Sequence, residues 1–110
     1  MKLKRYGVAQ GRDAASFEIL REGRARVGGA LDFGTVTALL PLGTEAIEQR
    51  RASAIDLAGV TASDSAGLAL LIEWLSIAQA AGHPLHYENI PSQLHQLGSL
   101  SDVDELIGAA

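Results

Sequence analysis

A serine and an aspartate that precede a long apolar segment are the residues of this 110-residue chain best placed to do chemistry. Asp64 and Ser65 stand directly before residues 66–81, whose apolar positions have helical spacing and end at Gly82. At the start of a helix, either side chain can cap unpaired backbone N–H groups. Those N–H groups and the positive end of the helix dipole also stabilise an anion such as phosphate. The pair is therefore a helix cap, a regulatory site, or both.

Three histidines are the other residues that could support catalysis or metal binding. His83 and His86 flank the start of a predicted strand, and their odd spacing places them on opposite faces of it. The chain has no cysteine, which excludes thiolate zinc sites and cysteine nucleophiles. A structural role is therefore favoured over metal ligation for His83, His86 and His95. Ser65 has no histidine near it in sequence to act as a base, so a serine hydrolase is the weakest functional hypothesis. The sequence predicts neither a metal nor a cofactor.

Length and charge describe one globular domain with an uneven charge distribution. The composition, 47% hydrophobic and 20% charged, is ordinary for a globular protein. All nine Lys and Arg lie within residues 2–51, whereas residues 52–110 contain seven acids and no base. This distribution argues against nucleic-acid binding, which needs clustered cations. It fits an acidic docking surface, and equally an acidic solvated side that binds nothing.

No targeting or membrane-spanning segment is predicted. The basic start of the chain is followed by Gly7, Gln10 and Arg12 rather than by the apolar run of a secretory signal. Glu73 and Gln79 interrupt the longest apolar stretch before it reaches spanning length. The cytoplasm is the expected location.

Periodicity predicts an α/β fold with the element order β-β-α-β-α-β-α. It consists of a mixed β-sheet of four to five strands with helices packed largely on one face, joined by right-handed crossovers. The predicted elements are a hairpin of residues 17–21 and 24–27, a helix at 34–51, a strand at 54–58, a loop at 60–65, a helix at 66–81, a strand at 84–88, and short helices from 91 and over 103–107.

Two segments resemble the central motifs of STAS domains, the fold of bacterial anti-sigma factor antagonists. Residues 54–60 (AIDLAGV) and 63–71 (SDSAGLALL) are similar to the buried strand, the Asp-Ser-x-Gly loop and the helix that follows. Residues 29–36 (GALDFGTV) resemble the family's other recurrent stretch, and the resemblance extends over 17–107. It implies a STAS domain at 16–108, preceded by an N-terminal extension or extra edge strand at 1–15. Residues 39–42 and 67–71, with the chain length, suggest the MlaB-like branch.

The resemblance implies a non-catalytic interaction module whose phospho-acceptor position is Ser65. Family members commonly have Ser or Thr where this chain has Ala66. The MlaB-like branch implies an accessory subunit that binds the cytoplasmic ATPase of a phospholipid-transporting ABC system and reaches the membrane only through that complex. The alternative is an anti-sigma factor antagonist that binds an anti-sigma factor kinase until Ser65 is phosphorylated.

The helix at 66–81 has more apolar surface than one contact with a sheet requires. Leu70, Trp74 and Ile77 form a second apolar stripe, which predicts an exposed anchor for a partner. The alternative is that Trp74 packs under the C-terminal helix or the N-terminal segment. The predicted partner interface consists of Asp64, Ser65, Ala66, Gly67, Leu70, Trp74 and Ile77.

Overall fold

The computed structural model describes residues 4–7 and 15–100. The predicted helix at 103–107 lies outside the described residues. The described elements are β1 (Lys4–Gly7), β2 (Ala15–Ile19), β3 (Arg24–Leu31), α1 (Phe33–Glu48), β4 (Ala54–Ser63), α2 (Ser65–Ala80), β5 (His86–Glu88) and α3 (Ser92–Leu100).

The strands form one mixed sheet in the order β1-β2-β3-β4-β5. The β1/β2 and β2/β3 pairs are antiparallel, and the β3/β4 and β4/β5 pairs are parallel. Glu22 and Gly23 have φ values of 60° and 74°, the left-handed conformation that a tight hairpin turn between β2 and β3 requires. Parallel strands need crossover connections, which α1 and α2 supply. The α/β fold predicted from the sequence, with its mixed sheet and its helices on one face, is confirmed.

The two faces of the sheet differ in chemistry because side chains alternate along each strand. The face under the helices is apolar and includes Phe17, Val27, Ile55 and Leu57, all fully buried. The other face carries charges in register, where Arg26 on β3 is paired with Asp56 on β4.

On that charged face, two carboxylates are held ionised by their partners. Asp56 accepts hydrogen bonds from Asn89 Nδ2 and the Ala58 amide, each 2.9 Å long, and these hold the pKa of Asp56 below its usual value. The Arg24 guanidinium donates two hydrogen bonds to Glu88 and holds the pKa of that carboxyl below its ordinary value. No helix of the described residues covers this face, here named the open face, and its Arg24 and Arg26 are paired with acids of the same face.

Strand β4 is longer than the sequence predicted. A strand at 54–58 and a loop at 60–65 were expected, but the strand continues to Ser63. The ladder with β3 explains the difference, because it pairs Gly28 with Gly59 and Leu31 with Ser63. A Cβ on Gly28 would lie 3.3 Å from the Gly59 carbonyl oxygen, so the two glycines let these backbones approach closely.

Trp74 of α2 fills the space between the two long helices and the sheet. Its indole lies against Gly43 of α1, where an added Cβ would come within 2.5 Å of Trp74 Nε1. Trp74 Nε1 donates a hydrogen bond of 3.1 Å to the Leu40 carbonyl oxygen. The ring of Phe17 on β2 lies 6.0 Å from the indole, centroid to centroid, and is tilted by 54°.

The structure corrects the prediction of an exposed apolar stripe on this helix. Trp74 is fully buried, Leu70 is 4% exposed, and Ile77 is half-buried. The prediction assumed that α2 contacts only the sheet. In the fold α1 packs beside α2 on the same face, so α1 covers the stripe that the sheet leaves uncovered.

We expect Gly43→Ala to lower the free energy of unfolding by about 1–3 kcal/mol, because the new methyl group overlaps the buried indole. Gly34→Ala, in the same helix, is the matched control, since its Cβ would meet only Asp32 Oδ1 at 3.2 Å. Urea unfolding of both variants measures the difference. Equal stabilities would contradict the tight contact between α1 and α2.

Candidate partner-docking site

The first turns of α1 and α2 lie side by side at one edge of the sheet. Strands β3 and β4 are parallel neighbours, so the helices that follow them begin at the same edge. The Asp64 amide donates a hydrogen bond of 3.1 Å to the Leu31 carbonyl oxygen, which links the ends of the two strands. Asp32 caps α1 through Oδ1, which accepts from the Gly34 amide at 2.8 Å and the Thr35 amide at 3.2 Å.

Asp64 caps α2, and this leaves Ser65 without a structural task. Asp64 Oδ1 accepts a hydrogen bond of 2.8 Å from the Ala66 amide. Ser65 is the first helical residue and is exposed, and its hydroxyl makes no hydrogen bond within the described residues. Of the two capping candidates in the sequence, Asp64 performs the role. The Ser65 hydroxyl is accessible at the positive end of the helix dipole.

Ser65 borders a hollow of about 400 Å³ between the start of α2 and helix α3. Gln93 and Gln96 of α3 form the opposite wall, and Gln93 Oε1 accepts a hydrogen bond of 2.9 Å from the Ser63 amide. These glutamines are not among the site residues predicted from the sequence. Their polarity in a short helix gave no sign that α3 lies against the end of β4.

Gly67, a member of the predicted partner interface, is buried within the domain. An added Cβ would lie 2.8 Å from Leu31 Cβ and would overlap Ser63 Oγ. The group that approaches Gly67 therefore belongs to this chain and not to a partner. Ala66 is also largely buried, so Asp64 and Ser65 are the exposed members of the predicted interface.

An apolar groove runs between α1 and α2 from their first turns. Phe33, the first residue of α1, stands at its mouth with 79% of its surface exposed. Within residues 15–98 it is the one large hydrophobic residue that is exposed. Sequence reasoning missed Phe33, although an aromatic residue directly after a helix cap is a signal that can be recognised. The groove lining includes Phe33, Val36, Leu40, Ala66, Ala69 and Leu70.

The surface of the two helices is acidic. Helices α1 and α2 with their caps contain five acids and neither Lys nor Arg; the acids are Asp32, Glu45, Glu48, Asp64 and Glu73. Arg24 and Arg26 lie on the opposite face of the sheet, where acids pair with them. The helix layer therefore offers a partner an apolar surface with acids at the starts of both helices and at Glu73, while Arg50 and Arg51 follow α1 at the far end.

His83 links two loops, His86 lies on the edge strand β5, and His95 lies within α3. His83 Nε2 lies 2.9 Å from the Ala52 carbonyl oxygen, and since a carbonyl only accepts, Nε2 donates. Arg50 lies 3.3 Å from His83 Nδ1, and His86 lies 3.2 Å from Glu88. In the described part of the chain, no three His, Asp or Glu residues are grouped as a metal site would need. Nor does any described helix have the length and apolar character to cross a membrane.

We expect Asp64→Ala to cost about 1 kcal/mol of folding free energy, because it leaves the first turn of α2 uncapped. Ser65→Ala is the adjacent control and should change stability by less than about 0.5 kcal/mol, since its hydroxyl bonds nothing in the described structure. Chemical denaturation separates the two. A larger loss from Ser65→Ala would show that the serine is the cap.

Solved structures share this fold. The anti-sigma factor antagonist SpoIIAA in its unphosphorylated form matches with a TM-score of 0.64 and 17% identity over 81% of each chain. The Bacillus cell fate determinant SpoIIAA in the phosphorylated form matches with a TM-score of 0.62 and 17% identity, over 81% of this chain and 84% of that one. At this identity the likeness shows the fold. No curated protein matches the chain.

The family comparison is more specific than the structural likeness. The family model described as "Mlab, STAS domain" matches residues 19–108, which is most of the chain and includes both helix caps and the groove. The chain therefore belongs to the MlaB-type STAS domain family, interaction modules related to the anti-sigma factor antagonists.

Proposed function

We propose that this protein is the accessory subunit of an Mla-type phospholipid-transporting ABC system. It binds the cytoplasmic ATPase of that system and supports its assembly or activity, and it catalyses no reaction itself. The match to the "Mlab, STAS domain" model over residues 19–108 is the observation that carries the proposal. The partner binds the helix layer at the start of α2, where Asp64 and Ser65 are exposed.

The charge of the helix layer supports a protein partner with a basic surface. Both helices and their caps present acids and no Lys or Arg to solvent. Complementary charge on the ATPase speeds association and selects the binding face, and salt weakens this effect. The charges on the open sheet face are already paired within the domain, as Arg24 is with Glu88, so they attract a charged partner less.

Phosphorylation of Ser65 would act as an off-switch at this interface. A phosphate adds nearly two negative charges, and the helix dipole stabilises it in the free domain. When a partner covers the site, the same charge lies beside Asp64 and loses its water. In this proposal the partner's cations pair with Asp64 and the other acids of the helix layer, so the added charge at Ser65 is buried without a counter-ion, which weakens a complex strongly.

An anti-sigma factor antagonist is the second candidate, favoured by the accessible and unbonded Ser65 hydroxyl. In that case the partner is an anti-sigma factor kinase that phosphorylates Ser65 and thereby releases the chain. Binding to purified ATPase and to purified kinase distinguishes the two candidate functions. The ABC-subunit function predicts a stable complex with the ATPase only, and the antagonist function predicts one with the kinase only.

We expect Ser65→Asp to weaken binding to the ATPase at least about tenfold. A charge buried without a partner at an interface commonly costs more than the about 1.4 kcal/mol of binding free energy that a tenfold change in Kd represents. Ser65→Ala should bind within about twofold of the parent, because it adds no charge. Ser76→Asp is the control for charge alone, being exposed on the same helix about 16 Å further along. Dissociation constants from isothermal titration calorimetry measure all three.

Melting temperatures of the three variants confirm that each is folded. Should Ser65→Asp bind the ATPase as tightly as the parent, Ser65 lies outside the interface. Equal weakening by Ser65→Asp and Ser76→Asp would instead indicate a general charge effect with no role for the serine position.

A further inference from the structure

The groove between α1 and α2, about 340 Å³ in volume, is a preformed feature of the fold. Its two walls are held at a fixed separation by the buried contact of Trp74 with Gly43 and by the hydrogen bond from Trp74 to Leu40. Ala66 and Ala69 are small and open the first half of the groove, while Phe33 projects at its mouth. An apolar concavity with a fixed shape and an exposed aromatic residue is suited to binding a partner.

We propose that this groove binds an amphipathic helix of the protein partner, with lysine or arginine on both sides of its apolar stripe. The inference rests on the proposed function in one respect only, that the chain acts by binding a protein.

A helix fits the groove better than an extended strand. Both walls are helices, whose backbone groups are bonded internally, so they have no free ladder for a strand to join. A helix satisfies its own backbone and contributes only side chains. The walls extend from Phe33 to Leu40 on α1 and from Ala66 to Glu73 on α2, about 10 Å each at 1.5 Å per residue. That length matches two turns of a bound helix, with anchors at i, i+3 or i+4, and i+7.

The charges around the groove determine the flanks of the bound helix. Glu73 lines one end, and Asp32 and Asp64 cap the helices at the other. Neither wall has a Lys or Arg to neutralise them. Residues 101–110 of this chain contain three acids and no base, so like charge disfavours them as the occupant. A basic amphipathic helix from another protein is complementary in both shape and charge.

The direct test uses a synthetic peptide of about 14 residues, with leucines at i, i+3 and i+7 and lysines on both sides of them. The control peptide has glutamates in place of the lysines. Each is titrated into the full-length, ¹⁵N-labelled chain. We expect the lysine peptide to shift the amide signals of Val36, Leu40, Ala69 and Glu73, and the glutamate peptide to shift none of them.

Two substitutions sharpen the test. Ala69→Glu places a charge in the groove and should weaken the lysine peptide at least about tenfold. Ala80→Glu makes the same change at an exposed position about 16 Å further along α2, and it should change the Kd of the lysine peptide less than about twofold. Glu73→Lys should weaken binding of the lysine peptide and strengthen binding of the glutamate peptide.

Equal binding of both peptides, shifts confined to the open sheet face, or no binding would each overturn the proposal. So would contacts between the Phe33 ring and Val103 or Leu106 in the free protein, which would show the chain's own terminus in the groove.

ATPase binding, measured in parallel, tests the proposed function separately. If Ala69→Glu binds the ATPase normally, the groove is not the docking site, whereas the proposal that the ATPase is the partner survives. If the parent protein binds the lysine peptide in the groove but does not bind the ATPase, the proposed partner is wrong, whereas the proposal that the groove binds a basic helix survives.

Discussion

The contact between Trp74 and Gly43 sets the relation between the two long helices, and the surface of the domain depends on it. A tryptophan on α2 reaches α1 only because residue 43 has no side chain. The hydrogen bond from its Nε1 to the Leu40 carbonyl oxygen fixes the position of the helices along their axes, and Phe17 supports the ring from the sheet. Since buried aromatic groups tolerate little change in their surroundings, this contact holds α1 and α2 as one rigid layer.

This arrangement has two consequences at the edge of the sheet where the helices begin. The parallel pairing of β3 and β4 brings both capped helix starts together. Asp64 caps α2 there, and the Ser65 hydroxyl beside it is exposed. The rigid helix pair also leaves an apolar groove open beside that serine, with Phe33 at its mouth. Ser65 borders the pocket toward α3, and the groove toward α1 begins at the next residue, Ala66, so the proposed switch and the proposed groove adjoin at the start of α2.

Much of the fold can be predicted from the sequence because local patterns and family motifs agree on it. The hairpin, the mixed sheet and the long helix after Ser65 follow from alternation, turn residues and helical spacing. Which neighbour covers an apolar stripe does not follow from one helix alone. The pattern of α2 predicts an exposed Trp74, because it does not show that Gly43 of α1 makes room for the indole. The same limit applies to Gly67, which the family motif places in the predicted interface, whereas Ser63 at the end of β4 occupies the space beside it.

The central claim, that the partner binds the helix layer near Ser65, is tested most directly by hydrogen–deuterium exchange of the chain alone and in complex with the ATPase. We expect slower exchange in residues 33–40 and 64–73 when the partner is bound, with little change at 24–27 and 86–88, the strand segments that carry Arg24, Arg26 and Glu88 on the charged face of the sheet. Protection confined to 24–27 and 86–88, with unchanged exchange at the start of α2, would contradict it.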